Sequence, residues 1–401
     1  MSFATDRSFA EQQDATDPLA AMRAEFRIPR RADGSNAVYL CGHSLGLQPK
    51  AVVRVVAEEL DQWANRAVDG HFESPRPWIS YHEQFAPALA RLVGAAPSEV
   101  VAMNTLTVNL HLMLVTFYRP TAERHKILIE KQAFPADRYA AMSQLRAHDF
   151  DPAQALIEIG PRDGEDGLRT EDVLQSIDRH ARGLATIVLP GVQYLNGQLM
   201  DIAAITQHAK RTGCNIGWDL AHAIGNVPLQ IHDSGADFAV WCHYKYLNSG
   251  PGAIGGCFVH ERYARELDLP RFAGWWGHDK SSRFLMPHDF RPMPGADGWQ
   301  VSNLPILSAA PLLASLPLFE RATLPALRAK SVRLTGYLES LLRARLSADV
   351  KILTPADPQQ RGCQLSLRLQ RNSQQARAVF EALAAAGFTG DWREPDVIRA
   401  A

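Results

Sequence analysis

Two stretches decide the reading of this chain: Asn215-Ile216-Gly217-Trp218-Asp219-Leu220-Ala221-His222, and Phe238-Ala239-Val240-Trp241-Cys242-His243-Tyr244-Lys245-Tyr246 shortly after it. Each opens on an apolar run short enough for a buried strand, Asn215–Trp218 and Phe238–Cys242, and closes on polar groups. Asp219, His222, Tyr244 and Lys245 therefore gather at one edge of an expected sheet. A carboxylate, an imidazole, a phenol and an amine in that arrangement suit a cofactor with a pyridine ring and an aldehyde. Lys245 condenses with the aldehyde, Asp219 keeps the ring nitrogen protonated, and Tyr244 and His222 handle protons and hydrogen bonds.

Around this centre the pattern alternates strand and helix. His125–Glu130, Ala155–Ile159, Ala185–Leu189, Ile216–Trp218, Phe238–Cys242 and Cys257–His260 read as strands. Asp201–Thr212 reads as a helix, capped by Asp201 and stopped by Gly213. Alternation of this kind predicts an α/β fold, a mostly parallel sheet covered by helices on both faces. Ligands bind beyond the carboxyl ends of such strands, where Asp219 and Lys245 fall. Upstream, residues 1–35 read as a polar lead-in with a short amphipathic helix around Pro18–Phe26. A helix opening at Pro49 carries Val52, Val53, Val56, Leu60, Trp63 and Ala67 on one apolar face. After Pro287–Pro294 the texture changes. Leu312–Ser347 is mostly helical, Val350–Leu353 and Gln364–Leu369 read as strands, and Ser373–Ala386 as an Ala-rich helix. These features divide the chain into an N-terminal segment 1–45, a large domain 46–309 and a small α+β domain 310–401.

The chain has 401 residues, 46% of them apolar, enough for a large core and a smaller one. A net charge of −1 gives no basic excess to favour nucleic acid or an anionic membrane. No apolar run reaches the roughly 20 residues of a membrane span, and the N-terminus lacks a signal pattern. The five cysteines form no CxxC pair, which fits a reduced, cytoplasmic protein.

Other motifs in the chain point elsewhere or add to this centre. Thr105-Leu106-Thr107 precedes an apolar helix, Val108–Tyr118, whose N-terminus is a natural phosphate site. Gly250-Pro251-Gly252-Ala253-Ile254-Gly255 matches GxGxxG but runs into a strand, so the dinucleotide context fails. Gly42-His43-Ser44-Leu45-Gly46 matches GxSxG, the nucleophile turn of serine hydrolases. Too little chain precedes Ser44 for that fold, and Leu47-Gln48-Pro49 interrupts the turn. The histidines show no metal-ligand spacing.

With these residues in view, the chain resembles the kynureninase family, fold-type-I pyridoxal-phosphate enzymes of the aminotransferase superfamily. The matching stretches are Tyr39–Lys50 (YLCGHSLGLQPK), Gly70–Trp78, Met103–Leu112 (MNTLTVNLHL), Phe134–Asp137, Gly217–Asn226 (GWDLAHAIGN), Tyr244–Asn248 (YKYLN), Gly274–Gly277, Val301–Leu307, Arg361–Leu367 and Ile398–Arg399. The resemblance implies that Lys245 holds pyridoxal 5'-phosphate covalently, that Asp219 pairs with its ring nitrogen, and that His222 lies by the ring hydroxyl. It implies a phosphate held by Leu106, Thr107, Tyr244 and Trp275, a ring stacked on Phe134 beside Asp137, and Ser302 and Asn303 reaching in from a loop. Ser44, His71, Asn303 and Trp275 would line the substrate pocket, and Arg399 would fork onto the substrate α-carboxylate. The implied reaction is hydrolysis of L-kynurenine, or its 3-hydroxy form, to the anthranilate and L-alanine, in tryptophan catabolism and pyridine-nucleotide biosynthesis, by a homodimer.

Three positions depart from the family pattern: His43 stands where Asn is usual, Ala136 where Ser or Thr is, and His243 where Ser is common. The chain also ends two residues past Arg399, where the resemblance implies a further helix, so Arg399 is expected to be loosely held.

Overall fold

The computed structural model describes residues 3–401. Its centre is a seven-stranded sheet: β1 (Val100–Met103), β2 (Lys126–Glu130), β3 (Leu156–Ile159), β4 (Leu184–Pro190), β5 (Asn215–Asp219), β6 (Phe238–Cys242) and β7 (Gly255–Val259), in the order β1-β7-β6-β5-β4-β2-β3. The pairs β3·β2, β2·β4, β4·β5 and β5·β6 are parallel, and β7 runs antiparallel to both β6 and β1. The carboxyl ends of β1, β2, β4, β5 and β6 therefore share one edge. Nearly every residue of these strands is buried, as expected of a sheet with two covered faces. One apolar cluster, including Trp218, Trp241, Ile187 and Leu312, fills one side. A second, including Phe117, Phe238, Met113 and Ile129, fills the other.

The second unit is a four-stranded antiparallel sheet, β8 (Val350–Ile352), β9 (Leu365–Leu369), β10 (Asp391–Arg393) and β11 (Val397–Ala400), ordered β8-β9-β11-β10. Leu369, Ala376 and Ile398 form its core with Phe380 and Trp392. The N-terminal segment joins it: Val38–Tyr39 pairs in parallel with Phe388–Thr389, and the Ala401 amide donates to the Leu40 carbonyl at 3.0 Å.

Several expectations need correction. The helix placed at Pro18–Phe26 is a 3₁₀ turn, Ala20–Glu25. The true helix, α1 (Arg7–Ala15), lies within the polar lead-in, capped by Asp6 onto the Phe9 amide and docked by Phe9 against Tyr337, ring centroids 5.7 Å apart. Pro49 is not a first helical residue: Gln48–Pro49 pairs with Phe26–Arg27, and α2 spans Val52–Arg66. Its apolar stripe is also misassigned. Val55 and Glu59 are the buried positions, while Val53, Leu60 and Trp63 stand 54%, 44% and 61% exposed. Residue 309 is no domain boundary, because it lies inside one helix, Ile306–Ala322, whose Ala309, Leu312 and Leu316 belong to the main core. The chain turns instead at Thr323, before the helix Leu324–Leu346. β1, β10 and β11 were not foreseen.

Candidate active site

The parallel strand ends deliver the chemical groups. β5 ends on Asp219, whose Oδ1 accepts from the Ala221 amide at 2.7 Å and whose side chain is buried. β6 ends on Cys242, and the turn after it brings Lys245 Nζ to 3.0 Å from His222 Nε2. Burial, reinforced by the Lys245 charge, pushes the His222 pKa far down. A neutral His222 thus accepts from the amine and carries its own proton on Nδ1, which has no partner. Phe134 and Tyr244 flank the amine, their ring centroids 5.8 and 5.9 Å from Nζ.

Past β2, the helix Pro135–Ala147 carries Asp137 on its first turn, buried beside Asp219. Burial and the Asp219 charge drive the Asp137 carboxyl well up, whereas Lys245 and the hydrogen bond from Asp137 oppose the rise that burial causes at Asp219. Both carboxyls of the pair are therefore raised, Asp137 the further of the two, so Asp137 is the one that holds a proton more readily. After β1, the helix α3 (Leu106–Phe117) presents its N-terminus to the same space. Its cap residue Thr105 makes no capping bond from its side chain, leaving the first amides to a ligand. Gly255 permits this packing: a Cβ there would lie 3.1 Å from the Leu106 nitrogen and 2.7 Å from the Trp241 carbonyl oxygen.

These groups line a single cleft. Of the residues singled out in the sequence, Leu106, Thr107, Phe134, Asp137, Asp219, His222, Tyr244 and Lys245 line it, as does Ala136. Pro190, Val192 and Tyr194 line it too and were missed. The signal for them was present, since Pro190 ends β4 and Val192 and Tyr194 follow it at the ligand-binding edge of the sheet.

His71, Trp275, Ser302 and Asn303 do not reach this cleft within one chain. His71 lies edge-on to Trp78 at 5.2 Å, and its Nδ1 is 3.0 Å from the Val68 carbonyl. Trp275 is half exposed, donates from Nε1 to the Arg283 carbonyl at 3.1 Å and packs edge-on against Phe284. Ser302 and Asn303 are exposed.

Arg399 is not loosely held. It lies on β11, between β9 and β10, 1% exposed. Its Nη1 donates to the Tyr194 carbonyl at 2.6 Å, its Nη2 to Ser44 Oγ at 3.3 Å, and it pairs with Asp391. Burial lowers its pKa to about 10, so it stays charged at neutral pH. His43 beside it is fully buried, its pKa pushed down to about 2 by burial and the nearby arginines. Ser44 bonds a carboxylate and a guanidinium rather than a histidine base, which removes the serine-hydrolase reading. One histidine cluster escaped the linear spacing: Glu99, His232 and His260 offer ligand atoms within 4.8 Å of one another. The Glu99 oxygens already accept from Ala96 and Glu261 amides and from His232 Nδ1, a complete structural anchor.

The chain is 56% identical over 399 residues to a kynureninase of Stenotrophomonas maltophilia, covering 100% of this chain and 94% of that one. It is 55% identical over 395 residues to a kynureninase of Xanthomonas oryzae pv. oryzae, covering 98% and 93%. Residues 327–401 match the family model described as the kynureninase C-terminal domain. The chain belongs to the kynureninase family. The fold is shared more widely. A cysteine desulfurase from Thermococcus onnurineus NA1 superposes with TM-score 0.70 at 16% identity, over 98% of this chain and 92% of that one. A C-DES mutant with glycine covalently linked to its PLP cofactor superposes with TM-score 0.74 at 16% identity, over 94% of each. The large and small units of this kynureninase-family chain thus follow a fold-type-I architecture.

Proposed function

We propose that this chain is a pyridoxal-phosphate-dependent kynureninase that hydrolyses the Cβ–Cγ bond of L-kynurenine to anthranilate and L-alanine, and accepts 3-hydroxykynurenine by the same chemistry. The observation that carries the reading is the part-buried Lys245–His222 contact at the carboxyl ends of β5 and β6, with the buried Asp219 carboxyl set against the Lys245 charge behind it. The residues fit the cofactor. Asp219 offers the negative charge a pyridinium needs, the unbonded Thr105 cap leaves the α3 amides for a phosphate, and Phe134 offers a ring face over the amine. Bound there, the cofactor supplies an aldehyde that condenses with amines and a protonated ring that accepts electrons from the substrate α-carbon.

The chain's own groups do the rest. Lys245 would hold the cofactor through its amine and is the base placed to take the substrate α-proton. His222, kept neutral by burial, orients the amine without competing for its charge. Leu106 and Thr107 hold the phosphate at the α3 N-terminus, with Tyr244 adjoining. Tyr244 then protonates the alanyl β-carbon once water has added to the aryl ketone and the Cβ–Cγ bond has broken. Burial pushes its phenol well up, so it is fully protonated before that step. Arg399 receives the substrate α-carboxylate beside Ser44.

A homodimer completes the site on this reading. Val53, Leu60, Trp63, Val68, Phe72, Trp275 and Phe284 form exposed apolar surface on one chain, which a second copy would cover. His71, Trp275 and Asn303 would then serve the neighbouring copy's cleft. A cytoplasmic setting in tryptophan catabolism and pyridine-nucleotide biosynthesis accords with five free cysteines and, among the described residues, no helix long and apolar enough to cross a membrane.

The deciding experiment is an absorption spectrum followed by kynurenine addition. A near-visible band that Lys245→Ala loses, borohydride trapping at Lys245, and release of fluorescent anthranilate are expected. A colourless protein labelled at Ser44 by a fluorophosphonate, or a yellow one that releases no anthranilate, would overturn the proposal.

A further inference from the structure

The strand register of the small sheet sets Asp391 on β10 directly across from Arg399 on β11. Directly opposed residues on antiparallel strands project from the same face and meet. Asp391 and Arg399 form an ion pair, and Ser44 Oγ lies 3.4 Å from the same carboxylate oxygen. A guanidinium can offer a carboxylate a two-pronged edge made of its Nε and Nη2 hydrogens. Here Nη2 is engaged by Asp391 and Ser44, Nη1 is spent on the Tyr194 carbonyl, and Nε is buried with no partner at all. One prong is filled from within the chain and the other is left empty. An unpartnered N–H on an arginine only 1% exposed costs stability unless something else binds it.

We infer that Asp391 is an internal stand-in for the substrate carboxylate: it occupies one prong of the Arg399 fork and must yield it before a substrate carboxylate can bridge both. The inference rests on the proposal that Arg399 binds that carboxylate. Asp391 has somewhere to go. Arg393, two residues along the same strand, holds its Oδ2 through Nε and Nη2, each at 3.1 Å. His43 Nε2 stands 3.4 Å from that oxygen with no hydrogen-bond partner. Displacement therefore strands no charge. It exchanges a carboxylate bound at one prong for a ligand carboxylate bound at two. Ser44, which touches both partners, is placed to follow the exchange. Asp391 thus competes with a carboxylate ligand for Arg399, and does not compete with a ligand that lacks the carboxylate, such as an amide or a decarboxylated amine.

The test is binding of L-alanine and of L-alaninamide to the holoenzyme by calorimetry, in the parent, Asp391→Asn and Arg399→Gln proteins. Asp391→Asn removes the competing charge at constant shape. Affinity for L-alanine should rise about tenfold while affinity for the amide changes little. Arg399→Gln should weaken L-alanine binding at least tenfold. If Arg399→Gln leaves L-alanine binding intact, the assignment of Arg399 to the carboxylate is wrong, and this inference falls with it. If Arg399→Gln weakens binding but Asp391→Asn leaves L-alanine affinity equal or lower, that assignment stands and the stand-in role alone is refuted. Should Asp391→Asn not fold, Asp391→Ser carries the same comparison.

Discussion

Gly217 is a sharp test of how the site is built. It lies mid-strand on β5, two residues before Asp219, and its partner across the parallel ladder is Phe238 on β6. The Phe238 ring folds over the Gly217 backbone, so closely that a Cβ added at 217 would fall inside van der Waals contact of three ring carbons. The ring has no retreat. It is fully buried and stacked on Phe117, centroids 5.1 Å apart and planes 17° from parallel. Two effects of opposite sign then compete in Gly217→Ala. Alanine in a strand interior gains about 0.5–1 kcal/mol over glycine from the smaller loss of chain entropy. Overpacking a closed core costs about 1–3 kcal/mol. With the clash against a wedged ring, the upper part of that range applies, so a net loss of about 2 kcal/mol is expected from these two terms. Urea unfolding of Gly217→Ala, Phe238→Leu and the double variant measures it. The smaller Leu opens the space, so the cost of the added methyl should shrink by at least about 1 kcal/mol in that background, a coupling typical of touching residues. A Gly217→Ala protein as stable as the parent, or a cost identical in both backgrounds, would refute the reasoning.

Three further outcomes are expected. Tyr244→Phe should retain the bound cofactor's absorption but lose about 10²–10⁴-fold in kcat, the usual contribution of a positioned proton donor; full turnover would show that another group protonates the product carbon. His243 is kept neutral by burial, its pKa down at about 3, and its Nε2 accepts from Trp241 Nε1 at 2.9 Å. The unfolded chain takes up that proton as pH falls through about 6.5 and the folded chain does not, so the stability is intact above that pH and declines toward pH 3. By pH 5 the loss is about 2 kcal/mol. The stability gap between the parent and His243→Ser should narrow by that much from pH 7 to pH 5, and a gap independent of pH would contradict it. Leu60→Glu combined with Trp63→Glu should convert a dimer to monomers in sedimentation and depress kcat by emptying the cleft of its neighbour's residues; an unchanged dimer would place the interface elsewhere.

The site was legible in the sequence to the extent that it was local. Apolar runs of strand length mark β2 to β7, since a strand buried on both faces must be apolar throughout. Short polar segments after those runs mark where chemistry sits, and eight of the foreseen residues do share one cleft. Helix ends with local signals, such as Asp201 capping onto the Ala204 amide before Ile202–Arg211, were also readable. The failures have a common cause. The α2 periodicity revealed an apolar stripe but not which way it faced. Val53, Leu60 and Trp63 point outward because the helix docks through Val55, packed on Ala310 and Ala314.

By itself, then, the sequence determined the order of the elements and the groups at their ends, because hydrophobic period, caps and turn residues act within a few positions of one another. Only the tertiary structure decided which distant groups meet. It brings Asp137 against Asp219, so that burial and the Asp219 charge raise the Asp137 carboxyl, and lays the α3 N-terminus over Gly255. It seats Arg399 between β9 and β10 with Asp391 on one prong and nothing on the other. Those pairings depend on sheet order and cross-strand register, which are set by how the whole core closes and leave no trace in local spacing.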